Sequence, residues 1–120
     1  MKSEIYLTKD EHYTLVFKKG ISRANNLAVI NVLPNGLKIS RYGLVTSKKV
    51  GGAVVRNRIK RRLREIAKRL PVQPGWDIVL VARPSIAGAE YQEIKEKIEE
   101  LLAKTKILAE RDEKDSPGAD

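Results

Sequence analysis

The chain has 120 residues, of which 42% are hydrophobic, and it contains no cysteine. This composition predicts one soluble domain with a single core, and it excludes disulfides and cysteine-based metal or catalytic sites. No apolar run reaches the roughly 18 residues that a membrane span needs, and the polar, acid-containing start (MKSEIYLTKDEHY) predicts no signal peptide. We therefore expect a cytoplasmic protein with no membrane partner.

The net charge of +9 comes from one stretch, residues 47–70 (SKKVGGAVVRNRIKRRLREIAKRL), called the basic segment below. It holds ten lysines and arginines and one acid, Glu65, whereas the rest of the chain has fourteen basic and fourteen acidic residues. Ordinary solvated faces mix both signs, so this segment is unlike them. Its charge density favours a polyphosphate partner, because each neutralised phosphate releases counterions. Nucleic acid is the partner that this pattern predicts.

The first predicted element is a helix over residues 8–20. Its start, TKDE from Thr8, has the pattern of a capping box, and Gly20 suits its end. Tyr13, Val16 and Phe17 are spaced to share one face. Taken alone, that spacing favours a face turned to the core.

A β region follows the helix. Residues 21–24 predict a short edge strand and residues 27–33 a longer one. The turn signal PNG at residues 34–36 predicts a hairpin whose return strand covers residues 37–47. Within that strand, Gly43 indicates a bulge or a close backbone approach.

The second half of the chain predicts helix, strand and helix. Residues 56–70 predict a basic helix, in which Ile59, Leu63, Ile66 and Leu70 form one narrow apolar stripe. Residues 76–83 (WDIVLVAR) predict a strand buried on both faces at the sheet centre. A last helix is predicted over residues 88–108.

The predicted fold class is α+β, a two-layer α/β sandwich with the element order α-β-β-β-α-β-α. Residues 1–108 are predicted to form a single domain. The last twelve residues (AERDEKDSPGAD, of which ten are polar, charged or chain-breaking) predict a disordered tail over residues 109–120.

A family resemblance rests on the basic segment. Residues 47–51 (SKKVG) followed by 53–61 (AVVRNRIKR) closely resemble the signature of the bacterial ribonuclease P protein subunit. Residues 17–20 (FKKG), 32–35 (VLPN) and 77–84 (DIVLVARP) resemble further segments of that family in the same order. The resemblance covers roughly residues 7–108.

This resemblance implies a fold and an activity. The fold would contain a left-handed β-α-β crossover through the basic helix, against the usual rule. The partners would be a large catalytic RNA and the precursor tRNA whose 5′ leader the holoenzyme removes. The RNA, with Mg²⁺, would carry out the chemistry, so the resemblance implies no catalytic residue, no metal ligand and no obligate protein partner in this chain.

The resemblance also implies a surface that binds the RNA subunit, centred on the Arg56-Asn57-Arg58 box. Arginine forks match phosphate oxygens and stack on bases. Asn57 has two open roles, reading an RNA edge or capping the helix N-terminus, and the two are compatible. The expected RNA-subunit-binding residues are Lys48, Lys49, Arg56, Asn57, Arg58, Lys60, Arg61, Arg62 and Arg64.

A second implied surface is a cleft for the single-stranded 5′ leader, formed by the first helix and the face of the sheet. Its expected residues are Tyr13, Phe17 and Asn31. Exposed aromatic rings stack single-stranded bases with little sequence preference. For Tyr13 and Phe17 the resemblance therefore favours leader binding over a core position.

Three other functions compete with this interpretation. A protein nuclease needs acid–base groups or a carboxylate cluster for metal. The single histidine, His12, is predicted to be a surface residue, and the acids of the last helix form an ordinary solvated face. A DNA-binding helix lacks a preceding helix-turn-helix partner. A ribosomal-type structural RNA-binding protein is the alternative that composition leaves open.

Overall fold

The computed structural model describes residues 6–105 and residue 107 of this chain. Three helices and four strands make up its regular structure, with one short 3-10 turn. In chain order these are α1 (Asp10–Lys19), β1 (Ile21–Ala24), β2 (Ala28–Pro34), β3 (Arg41–Val45), α2 (Ala53–Ala67), β4 (Trp76–Ala82), the 3-10 turn (Pro84–Gly88) and α3 (Tyr91–Thr105).

The four strands form one mixed sheet in the order β1-β2-β4-β3. Strand β4 pairs antiparallel with β2, where Ile30 faces Leu80, and parallel with β3, where Leu44 faces the same Leu80. Its side chains are buried along almost its whole length. The prediction of a central strand at residues 76–83 is therefore confirmed, and β1 is an exposed edge strand as predicted.

The predicted hairpin between β2 and β3 is wrong. The turn itself forms, with Gly36 at a φ of 74° that favours glycine. Strands β2 and β3 do not pair with each other, however, because β4 lies between them. The return strand is also shorter than predicted and covers only Arg41–Val45.

Side chains around Asp77 give the physical reason. Asn35 Nδ2 donates to Asp77 Oδ1 over 2.9 Å, and Asn35 Oδ1 accepts from the Leu37 N–H over 2.7 Å. Arg41 donates from Nε and Nη2 to the two oxygens of the buried Asp77 carboxylate, over 2.9 and 2.8 Å. These bonds hold the turn against the start of β4, so the chain passes over β4 and joins its far side.

The two faces of the sheet carry different amounts of core. Helices α2 and α3 cover one face, where Ile59, Leu63, Ile98 and Leu101 are fully buried in one cluster with residues of β2 and β4. Helix α1 lies on the opposite face with a small cluster centred on Val16. This larger burial on the α2 side fixes the basic helix to the sheet by its apolar stripe.

The predicted α+β sandwich and its element order are confirmed. Strand β3, helix α2 and strand β4 form a parallel β-α-β unit, and its left hand stays an implication of the resemblance. The last helix is shorter than predicted: it covers Tyr91–Thr105, and residue 88 belongs to the preceding 3-10 turn. The predicted tail at 109–120 lies outside the described residues. None of the helices in the described ranges is long and apolar enough to cross a membrane.

Both of the first two helices begin elsewhere than predicted. Helix α1 is capped at Lys9 with no side-chain hydrogen bond, so the capping box at Thr8 is wrong. The preceding Leu7 donates its N–H to Tyr42 O over 2.7 Å, which keeps this segment extended along β3. Helix α2 begins at Ala53, three residues before the predicted start.

Tyr42 predicts a stability loss at alkaline pH. Burial, and then the neighbouring Tyr6, raises the pKa of Tyr42 to about 12. The phenol ionises near 10 in an unfolded chain, so its contribution is complete below about pH 10 and is lost as the pH rises through 12. We expect the wild-type free energy of unfolding to fall by up to about 2 to 3 kcal/mol more than that of Tyr42→Phe. Urea denaturation from pH 9 to 12 measures this, and parallel curves for the two proteins would contradict it.

Candidate nucleic-acid interface

The basic segment begins with a tight turn that presents two lysines. The Val50 N–H donates to Ser47 O over 3.1 Å, and the Lys49 N–H donates to Ser47 Oγ over 3.3 Å. Lys48 and Lys49 are exposed at the tip of this turn. They therefore stand directly before the N-terminal end of α2, where backbone N–H groups add a partial positive charge.

The charges of the basic segment are almost all unpaired. Only Arg69 forms an ion pair, with Glu65 over 2.9 Å, among the segment's residues that the structure describes. No acid occupies the first turn of α2, although an acid there would complement the helix dipole. Close cations on one helix repel each other. This repulsion destabilises the free protein, and the unpaired cations of α2 are available to an external anion.

One flank of α2 is tied to the turn after β4. Arg58 Nη2 donates to Ala87 O over 3.0 Å, and Arg62 Nη1 donates to Ala89 O over 3.2 Å. Each guanidinium has further N–H donors beyond the one used here, although Nε of Arg58 is buried. These two side chains therefore hold α2 in place and remain able to contact RNA from the same positions.

The opposite flank and the outer side carry the other predicted residues. Arg56, Lys60 and Arg64 follow one another at intervals of four and form a single row. Asn57 and Arg61 lie on the exposed outer side. Because Asn57 is the fifth residue of α2, the capping alternative for it is wrong. The structure thus brings all nine predicted RNA-subunit-binding residues onto one turn and one helix.

Helix α1 places the two predicted aromatic residues one turn apart. The ring of Tyr13 lies against β3 at Gly43, where an added Cβ would meet Tyr13 Cε1 at 2.5 Å. This confirms a close backbone approach at Gly43. The Tyr13 hydroxyl donates to Leu7 O over 3.3 Å, and burial raises the pKa of Tyr13. Phe17 is 48% exposed, so it is not a core residue.

The sheet beside α1 supplies further residues. Asn31 faces Val79 across the β2–β4 ladder and so lies on the α1 side, where it is only 7% exposed. Its side chain makes no hydrogen bond to another residue in the described part of the chain. Val29, Val45 and Val81 form a half-buried strip on the same face. The sequence did not identify this strip, because continuous apolar runs conceal which side chains turn towards α1.

His12 and the acids offer no second site. His12 is half-buried instead of lying on the surface, and its Nδ1 is buried without a hydrogen-bond partner. Within residues 6–105 and 107, no group of three or more His, Asp or Glu side chains is arranged to hold a metal ion. Glu99 and Glu100 of α3 instead pair with lysines of the same helix.

Comparison with known sequences finds one family. The model of the family described as Ribonuclease P matches residues 1–106. The chain is 45% identical to the ribonuclease P protein component of Dehalococcoides mccartyi strain CBDB1, over 97% of each chain. It is 42% identical to the protein of the same name from Caldanaerobacter subterraneus subsp. tengcongensis, over 88% of this chain and 93% of the relative.

Solved structures give the same result for the fold. The Staphylococcus aureus RNase P protein superposes with a TM-score of 0.79 at 30% identity, over 87% of this chain and 97% of that one. The RNase P protein of Thermotoga maritima superposes with a TM-score of 0.76 at 32% identity, over 82% and 96% of the two chains.

The contact between Tyr13 and Gly43 gives a test of how α1 is seated. Gly43→Ala should displace the Tyr13 ring and lower the free energy of unfolding by about 1 to 3 kcal/mol, because the added methyl overpacks the site. Gly88→Ala is the matched control, since an added Cβ there meets nothing within 4 Å. Thermal unfolding and the aromatic NMR shifts of Tyr13 measure both effects. Equal stability and unchanged shifts in the two variants would contradict this seating.

Proposed function

This chain belongs to the ribonuclease P protein family, and from that premise we propose which of its surfaces meets each RNA. It is the RNA-binding protein subunit of an endoribonuclease that removes the 5′ leader of precursor tRNA, and the RNA subunit carries out the catalysis. Its partners are that catalytic RNA and the precursor tRNA. The family assignment decides against the ribosomal-type, DNA-binding and protein-nuclease alternatives.

The basic segment is the proposed surface for the catalytic RNA. The observation that carries this proposal is the unpaired charge: nine of its ten basic side chains have no carboxylate partner among the described residues. Phosphates would replace the missing carboxylates and relieve the repulsion along α2. Lys48 and Lys49 would extend this contact beyond the helix to the preceding turn.

Two positions on α2 have a double task in this proposal. Arg58 and Arg62 already hold the helix against the carbonyls of Ala87 and Ala89. Their remaining donors would position phosphates relative to the sheet, whereas the exposed Arg61 would contribute mainly charge. Phosphate contacts of this kind orient a protein on RNA without reading its sequence.

The α1 side of the sheet is the proposed surface for the 5′ leader. Phe17 offers a ring that the core does not use, and Tyr13 offers one that Gly43 holds in place. Unpaired leader bases would stack on these rings, above the half-buried valine strip. Asn31 is nearly covered in the free protein, so its amide would take part only where the leader reaches the sheet.

Mg²⁺ belongs to the holoenzyme in this proposal and is bound mainly by the RNA. The protein's contribution would be to neutralise RNA phosphates and so lower the Mg²⁺ concentration that the holoenzyme requires. Both RNA partners of a bacterial ribonuclease P are found in the cytoplasm, and we place the protein there.

Phe17 tests the leader surface in a holoenzyme reconstituted with a bacterial ribonuclease P RNA at low Mg²⁺. Phe17→Ala should weaken binding of leader-bearing precursor by about 1 to 3 kcal/mol through lost stacking and leave mature tRNA affinity unchanged. Leu15→Ala is the matched control, because Leu15 is similarly exposed but two positions away, on the other side of α1. Equal weakening of precursor and mature tRNA binding would contradict the proposed leader surface on the α1 side. Cleavage by the protein without RNA would contradict the whole assignment.

Arg61 tests the surface for the catalytic RNA. Arg61→Ala should lower the slope of log affinity against log salt concentration by about one unit or somewhat less, since one phosphate contact is lost. Lys104→Ala removes the same charge from α3, where Lys104 lies 3.9 Å from Glu100, and should leave the slope unchanged. Filter binding from low to moderate salt measures both slopes. Identical slopes would mean that Arg61 only faces solvent.

A further inference from the structure

A cavity of about 320 Å³ lies between the basic helix α2 and helix α1, at the edge of the sheet. The segment before α1 forms its rim, where Tyr6 makes a parallel bridge to Tyr42 of β3. Tyr13 closes the α1 side through its hydrogen bond to Leu7 O. The cavity is therefore built by four separate parts of the fold, and it lies between the two proposed RNA surfaces.

The charge of this cavity is positive throughout. Lys60 and Arg64 line it from α2, four residues apart, and none of the lining residues in the described part of the chain is acidic. Neither cation has a carboxylate partner among the residues that the structure describes. Two like charges on successive turns repel each other. An anionic group bound between them would remove that repulsion.

The remaining wall combines three tyrosine rings with Leu7, Thr8 and Leu44. Tyr6, Tyr13 and Tyr42 all line the cavity, so three of the chain's four tyrosines meet there. The hydroxyl of Tyr6 is buried and has no hydrogen-bond partner. A buried polar group without a partner destabilises the free protein, and a ligand that bonds to it recovers that loss. Burial keeps the Tyr42 phenol neutral, since its pKa is raised to about 12.

We propose that this cavity binds one unstacked ribonucleotide, with its base against the tyrosine rings and its phosphate on Lys60 and Arg64. The inference rests on the proposed function, in which the chain binds RNA on both sides of this position. Tyrosine rings stack bases, and lysine with arginine binds phosphate. The cavity volume falls at the lower end of the range for small-ligand sites, which suits a single nucleotide. Either the catalytic RNA or the precursor tRNA can supply it.

The experiment uses holoenzyme reconstituted with a bacterial ribonuclease P RNA, and it has two arms. The first measures the affinity of the protein for the catalytic RNA alone. The second measures the affinity of the assembled holoenzyme for leader-bearing precursor tRNA. The variants are Tyr6→Leu, which keeps apolar volume but removes the ring and hydroxyl, and the double variant Lys60→Gln with Arg64→Gln. Lys104→Gln serves as the charge control on α3.

We expect Tyr6→Leu and the double variant each to lose about 5- to 100-fold in affinity in the same arm, as loss of one stacked base predicts. Loss in the first arm identifies a nucleotide of the catalytic RNA, and loss in the second identifies one of the precursor. Lys104→Gln should behave as wild type in both arms.

Other outcomes would overturn the proposal. Wild-type affinity of Tyr6→Leu in both arms, with an unchanged melting curve, excludes base binding in this cavity, even where the double variant weakens through lost charge. If Tyr6→Leu does not fold, Tyr6→Phe, which removes only the hydroxyl, provides the test. Unchanged affinity of Tyr6→Phe in both arms would overturn the proposal. Failure of the wild-type chain to bind the catalytic RNA would instead overturn the proposed function.

Discussion

Strand β4 is the constraint on which the arrangement of both proposed RNA surfaces depends. Its apolar side chains require cover on both faces, and its backbone forms ladders with β2 and β3 at once. One face receives the apolar stripe of α2, and the other receives Val16 of α1. The basic helix and the aromatic residues are thus held on opposite sides of one strand. On the proposed assignment of these surfaces, both RNAs would be bound at the same time without competing for one surface.

The helix that carries the charge is held by forces that do not involve the charge. Ile59, Leu63 and Ile66 are buried on the sheet, while the surrounding cations have almost no acidic neighbours. Arg58 and Arg62 also help to hold the helix. Their hydrogen bonds go to backbone carbonyls, which carry no net charge, so the net charge of the helix is unchanged. Apart from Arg58 and Arg62, stability and the proposed RNA affinity therefore come from different side chains of the same fifteen residues. Because buried apolar side chains hold the helix, a surface of mutually repelling cations is kept rigid.

Sequence patterns predicted the structural features that depend on residues close together in the chain. The apolar run of β4, the stripe of α2 and the close approach at Gly43 were all visible in the sequence. Pairing between distant segments was not. The turn at Asn35-Gly36 forms as the sequence predicts. Hydrogen bonds from Asn35 and Arg41 to Asp77 then direct the chain past β4. Rules about neighbouring residues do not predict this long-range contact. The cavity was missed for the same reason, because its rings come from three places in the chain.

The parallel pairing of β3 with β4 has a consequence for the order of events in folding. Leu44 can meet Leu80 only after the intervening loop has closed, and that loop contains the whole basic helix. Non-local pairing is intrinsically slow, and like charge opposes the compaction that it needs. A polyanion that neutralises the charge of α2 removes this opposition to loop closure. The catalytic RNA is therefore expected to govern how fast newly made protein reaches its native state, in addition to what that protein later does.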